Sequence, residues 1–369
     1  MILKALFRVE VAVVLATLAL PVTALADDSA VAIAAGGLIP RRETRIIMAK
    51  EILRISEKKV VVDYDFRNDS AEDVTTEVAF PVPPYKNGVV QGPTMEEQSF
   101  QSFKLLVEGK PVHYESETTA TLNGKDVTAI LKANQIDIPT FGHFEDRVNT
   151  KNEEEIYTHD FSRLSKSMRE QLVQAGLFQS FDNTWGLWTV HLQYHWTQTF
   201  PAHATVHIRH EYTPVVGYTP MPVKALQFAL NPGSARKDAK RWKDSEAEDI
   251  LSFCPEPELL RSMFGKISQN TNNSYEGRYF PTQWIDFILT TANNWQRPIE
   301  DFTLIIERPK AEQDSKTLIS FCSPMNGKVE KLDADHFQVH LTNFVPTSEL
   351  HIGFFQVLVV KPGQAATKK

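Results

Sequence analysis

Four side chains near the middle of the chain are of the types that hold divalent metals: His191, His195, His207 and Glu211. Imidazole nitrogens and a carboxylate suit zinc or copper. The four share a polar face if residues 185–212 fold as an antiparallel hairpin turning at Phe200-Pro201-Ala202. With Thr199 opposite His203, His195 meets His207, Gln193 meets Arg209 and His191 meets Glu211. Trp196–Val206, Tyr194–Ile208 and Val190–Tyr212 then pair on the apolar face, and a one-residue slip would turn them to water. No close-spaced ligand motif such as H-E-x-x-H accompanies the quartet. The outer face of a sheet is polar in any case, and Gln–Arg and His–Glu cross-strand pairs are ordinary contacts. The expectation is therefore no metal, no cofactor and no catalytic residue, with these four as the positions where a metal would sit.

Sugar binding is the second chemistry to weigh. Of the six tryptophans, Trp185, Trp188 and Trp196 lie close together, but the alternation puts Trp188 and Trp196 on the buried face. Trp284 and Trp295 stand at strand ends, where a ring is freer to stack on a sugar. Hydrolase chemistry is third, and no G-x-S-x-G elbow, P-loop or Rossmann glycine pattern is present. Acidic pairs such as Glu256/Glu258 carry little weight among 46 acidic residues. Cys254 and Cys322 are the two cysteines. In an oxidising compartment such a pair forms a disulfide, whereas Pro255 and Ser323-Pro324 offer no base to activate a thiol.

The N-terminus points to that compartment. Lys4 and Arg8 precede an apolar run from Val11 to Leu20, Pro21 breaks it, and Ala24-Leu25-Ala26 supplies a small-residue cleavage site. Residues 1–26 are thus expected to be a secretory signal peptide, too short in its apolar part to anchor in a bilayer. A periplasmic or secreted protein without a membrane span after cleavage follows. A net charge of −7 argues against nucleic acid as a partner.

The elements that must position these side chains are mostly strands. Val60–Phe66 alternates in period two and ends at the turn Asn68-Asp69-Ser70, and Val74–Phe80 is stopped by the P-V-P-P of residues 81–84. Glu108-Gly109-Lys110 marks a tight turn. Leu164–Phe178 changes to helical period, with Ser165 as N-cap and Gly176 just past the end. Pro214–Pro222 is the candidate domain boundary. Beyond it come a strand at Leu226–Leu230, a short helix from Pro257 closed by Gly265, and five strands between residues 285 and 360. The expected architecture is mainly β, with two sandwich-like domains. Residues 27–216 carry a helical insertion near 160–178, residues 223–361 hold short helices and the Cys254–Cys322 disulfide, and 362–369 form a disordered tail.

Several stretches together resemble an exported proteobacterial family catalogued as domain of unknown function 4424. They are A-A-G-G-L-I-P, I-I-M-A-K-E-I-L-R-I-S, Y-D-F-R-N-D-S, V-A-F-P-V-P, Y-H-W-T-Q-T-F-P-A, I-L-T-T-A-N-N-W-Q-R-P-I, S-F-C and N-F-V-P. The resemblance implies an exported protein with a cysteine pair at 254 and 322 and transfers no catalytic residue. The order F-R-N-D-S, V-A-F-P-V-P, V-E-G-K-P-V is also similar to the N-terminal sandwich of vault and inter-alpha-trypsin proteins. The functional expectation is a non-catalytic exported scaffold or binding protein of the cell envelope, with an envelope protein or glycan as partner. The alternative is a protein that binds or hydrolyses glycans.

Overall fold

The computed structural model describes residues 29–34, 37–87, 102–139, 164–178, 186–230, 249–268, 279–310 and 315–358. The expected signal peptide, the C-terminal tail and Trp185 lie outside the described residues. The first part of the chain runs β1 (Ser29–Ala34), β2 (Gly37–Pro40), β3 (Ile46–Ile55), β4 (Val60–Asn68), β5 (Val74–Pro81), β6 (Tyr85–Lys86), β7 (Lys104–Val107), β8 (Lys110–Pro111), β9 (Glu115–Leu122), β10 (Lys125–Asp126), α1 (Thr128–Ala133) and α2 (Lys166–Gln174). The middle holds β11 (Thr189–Phe200), β12 (Ala204–Tyr212), β13 (Val216–Pro222), α3 (Val223–Leu230) and α4 (Pro257–Ser268). The last part runs β14 (Tyr279–Phe287), β15 (Ile299–Glu307), β16 (Ser315–Phe321), β17 (Glu330–Lys331), β18 (His336–Phe344) and β19 (Leu350–Leu358).

The protein is mainly β, built from three sheets among the described residues. One has the order β10-β9-β11-β5-β1-β2, with β6 also paired to β11. The second has the order β17-β18-β15-β3-β4-β12-β7-β8, and the third β13-β14-β19-β16. One apolar core joins all three, drawing Phe80, Tyr194 and Trp196 from the first, Tyr64, Phe66, Ile208 and Phe302 from the second, and Ile285, Ile352 and Phe354 from the third. The opposite face of the third sheet packs Phe280, Phe355 and Val357 against Leu226 of α3 and Leu260 and Met263 of α4. A smaller core around Trp188, Leu131 and Leu172 lies under α1 and α2.

The central hairpin does not form. Strands β11 and β12 belong to different sheets: β11 pairs β5 and β9, whereas β12 pairs β4 and β7. The connection is an arch, in which the two apolar faces look at each other across the core instead of lying side by side. Alternation is identical in the two cases, so periodicity found the buried faces and missed the partners. The residue facing was as expected, with Val190, Tyr194, Trp196, Val206, Ile208 and Tyr212 all buried.

The arch is fixed by the turn Asn68-Asp69-Ser70, itself the crossing from β4 to β5. Asn68 is fully buried, and its Nδ2 donates to Glu72 O and Phe200 O, each at 2.9 Å. Its Oδ1 accepts from Ser70 N at 3.0 Å and Ser70 Oγ at 2.6 Å. One amide thus ties two arches together. Asp73 Oδ1 accepts from Ala202 N, and His203 takes a positive φ of 53° at the bend.

Three further expectations are corrected. The sheets do not divide between residues 216 and 223, because β15 pairs in parallel with β3 and carries β18 into the second sheet. Residues 226–230 are helical within α3, since Ala225 and Leu226 pack as one helical face under the third sheet. Helix α4 continues past Gly265 to Ser268, where a glycine costs only about 1 kcal/mol relative to alanine. The α2 expectation stands: Ser165 Oγ accepts from Met168 N and Gly176 takes φ +74°. No described helix is long and apolar enough to cross a membrane.

Candidate functional site

The arch separates the four candidate metal ligands. His191 and His195 project from the outer face of the first sheet, and His207 and Glu211 from the outer face of the second, with the core between them. Each is engaged locally. His195 Nδ1 lies 2.8 Å from Glu77 Oε1, and His191 Nε2 lies 2.9 Å from Thr121 Oγ1. His207 Nδ1 lies 3.0 Å from Asp65 Oδ1, while Glu211 pairs with Lys59 at 2.6 Å and Arg209 at 3.0 Å. Burial lowers the His191 pKa, and the bond from Lys59 holds the Glu211 carboxyl below its ordinary range. Among the described residues no group of three or more His, Cys, Asp or Glu is placed to hold a metal. The structure does not bring the quartet together.

Cys254 and Cys322 are joined in a disulfide, with Cα atoms 5.0 Å apart. The bridge pins the segment before α4 to the end of β16 and so fixes Phe253. Ser320 Oγ donates to Phe253 O at 2.8 Å, and the phenyl ring covers Gly353 of β19, where a Cβ would come within 2.8 Å of it. The same ring stacks on the imidazole of His351, with centroids 4.1 Å apart and planes 12° from parallel. His351 Nδ1 is hydrogen-bonded to the carboxylate of Asp286, its direct partner across β14 and β19.

That carboxylate borders a concave feature with the makings of a ligand site. A groove of about 300 Å³ runs between Val82–Lys86, the stretch from Tyr212 to Gly217, and Trp284 and Asp286 of β14. Its walls follow from local sequence. The prolines of P-V-P-P interrupt the strand between β5 and β6 and leave Pro83, Pro84 and Tyr85 as a rigid lip. Pro214 opposes them where the chain passes from the second sheet to the third. Trp284 and Asp286 are two residues apart on one strand and therefore share a face. Gly217 lies opposite Trp284 in the sheet, and any side chain there would overlap the indole, so the glycine lets the ring lie down across β13.

The sequence expectations for tryptophan divide accordingly. Trp188 and Trp196 are core, with Trp188 Nε1 donating to Ile138 O at 3.0 Å. Trp295 is also core, packed 4.6 Å from Phe66, because the segment after β14 folds inward and not outward. Trp284 alone of these four is half-buried and lines the groove.

A family model described as "Domain of unknown function (DUF4424)" matches residues 26–352. The chain belongs to the DUF4424 family. Comparison with curated proteins returns no match for it. Among solved structures, this DUF4424 chain is similar to a Legionella pneumophila protein provisionally described as a nutrient binding protein. The identity is 13% and the TM-score 0.37, over 86% of this chain and 68% of that one. It is also similar to an M1 zinc metallopeptidase from Deinococcus radiodurans, at 7% identity and a TM-score of 0.25, over 85% of this chain and 43% of that one. At these scores neither likeness bears on the function of the DUF4424 chain. Sequence reasoning singled out Trp284 but placed it at a strand end, whereas it stands inside β14 between Gly217 and Gly353, and it missed Asp286, His351 and the lip at residues 82–86. The signal for Asp286 was its spacing of two from Trp284, whereas the lip and His351 meet it only through long-range pairing.

Proposed function

We propose that the chain is a non-catalytic binding protein that works outside the cytoplasm, with its ligand seated in the groove between residues 82–86, 212–217 and Trp284–Asp286. The groove carries this reading. Its aromatic and proline walls supply shape and apolar contact, and a carboxylate steadied by His351 supplies orientation, the division of labour usual in small-ligand sites. It lies where all three sheets approach one another, a common location for such sites. The Cys254–Cys322 disulfide and the signal-like residues 1–26 support an oxidising, extracytoplasmic setting.

A thermal-shift screen of small metabolites, peptides and oligosaccharides tests the proposal, with each hit repeated on Trp284→Ala and each incubated hit checked for chemical change. The expected result is a rise in Tm that Trp284→Ala removes, with the ligand recovered intact. Hits indifferent to Trp284, or a ligand consumed during incubation, would contradict it.

A further inference from the structure

We propose, on the reading that this groove is the ligand site, that its ligand is a neutral saccharide whose ring stacks on the indole of Trp284 and whose hydroxyls bond to Asp286. Three observations converge on this class. The indole is laid flat against the Gly217 backbone and also lines the groove, which presents an aromatic surface of the kind that takes the apolar face of a sugar ring. Asp286 follows at i+2 on the same face, so its Cα stands roughly 6.6 Å along the strand from that of Trp284. The carboxylate's orientation is fixed by His351, which in turn rests on Phe253 beside the disulfide.

Charge and hydrogen-bond type then decide among ligands with flat apolar faces. A carboxylate only accepts, so it selects a ligand rich in donors, and sugar hydroxyls are donors. A proline-rich peptide offers carbonyl acceptors almost alone and would leave Asp286 without a partner. A quaternary ammonium would suit the indole and the carboxylate, but Lys86, a cationic residue, also lines the groove and disfavours a second positive charge there. An anionic ligand would suit Lys86 and be repelled by Asp286. A neutral polyhydroxylated ring satisfies both, donating to Asp286 and accepting from Lys86.

Titration calorimetry on the oxidised full chain tests this with maltotetraose, cellotetraose and fully N-acetylated chitotetraose. The counter-probes are choline, an oligogalacturonate and a polyproline decapeptide. The expected result is binding of at least one neutral oligosaccharide and of no counter-probe. Trp284→Ala and Asp286→Asn should each weaken that binding about tenfold or more, while thermal unfolding confirms that both variants fold. Where Trp284→Ala unfolds, Gly217→Ala, which displaces the ring, takes its place. Binding of choline, oligogalacturonate or polyproline in the saccharides' stead, and lost in the same variants, would overturn the saccharide and leave the groove standing. Saccharide binding unchanged in every variant would overturn both. Failure of all six probes would overturn the saccharide proposal.

Discussion

Asn68 and His210 illustrate how single buried polar groups set this structure. Asn68 makes four hydrogen bonds from a fully buried position, two of them to carbonyls on neighbouring segments. Asn68→Ala would take the amide donor from Phe200 O, whereas Glu72 O keeps the Ser70 hydroxyl, so a loss of about 1–3 kcal/mol in urea unfolding is expected. A change within 0.5 kcal/mol would show that the arches hold without it. His210 lies on the apolar face of β12, ringed by Tyr64, Phe80, Phe103 and Trp196 at centroid distances of 4.9–5.5 Å. Burial lowers its pKa to about 3. In the unfolded chain the ring titrates near 6.5. The folded form therefore binds the proton less readily, and stability is fully present above pH 6.5 and lost as pH falls toward 3. Unfolding free energies at pH 7.5 and pH 5 should differ in the parent and differ less in His210→Phe. An equal pH dependence in the two proteins would assign the acid sensitivity elsewhere.

At the scale of elements, the strands were legible and their pairing was not. Val60–Phe66, Val74–Phe80 and four of the five C-terminal runs announced themselves by alternation, and each is a strand within a few residues of its expected ends. The fifth, expected at Ile285–Thr290, begins six residues earlier as β14 and gives way to a 3-10 turn at Thr290–Asn294. Which strand lies beside which depends on whether a connection is a hairpin or an arch, and Phe200-Pro201-Ala202 permits either. In the fold both edges of each strand are taken by others, β5 and β9 beside β11 and β4 and β7 beside β12, and Asn68, more than a hundred residues upstream, bonds to Phe200 O at the arch. The parallel pairing of β15 with β3 is further still from any local signal. Trp284 was legible as a freer ring, but its neighbours at residues 82–86 come to it only through the same long-range pairing. The disulfide belongs to this scale too, since it ties the segment before α4 to β16. Cys254→Ser/Cys322→Ser should cost about 4 kcal/mol by the chain-entropy account of a 68-residue separation. It should also free Phe253 and with it His351, which an altered His351 proton resonance would report. A stable double variant with that resonance unmoved would uncouple the bridge from the groove.

At the scale of the whole molecule, three sheets share one core, and the groove opens where they approach one another. Gly217 is the hinge point of that arrangement, because the indole of Trp284 occupies the space of its absent side chain. Gly217→Ala should displace the ring at about 1–3 kcal/mol of stability, seen in thermal unfolding, and weaken ligand binding with it. Stability and binding both at the parent level would show that the ring has room elsewhere. The central claim is that the ligand of this DUF4424 chain lies on Trp284, and the indole N–H resonances of the six tryptophans test it most directly. Titrating the tightest-binding oligosaccharide into nitrogen-15-labelled protein should shift the Trp284 signal, assigned from Trp284→Phe, while those of the buried Trp188, Trp196 and Trp295 stay in place. A Trp284 signal that stays put while the protein saturates with ligand would contradict the account.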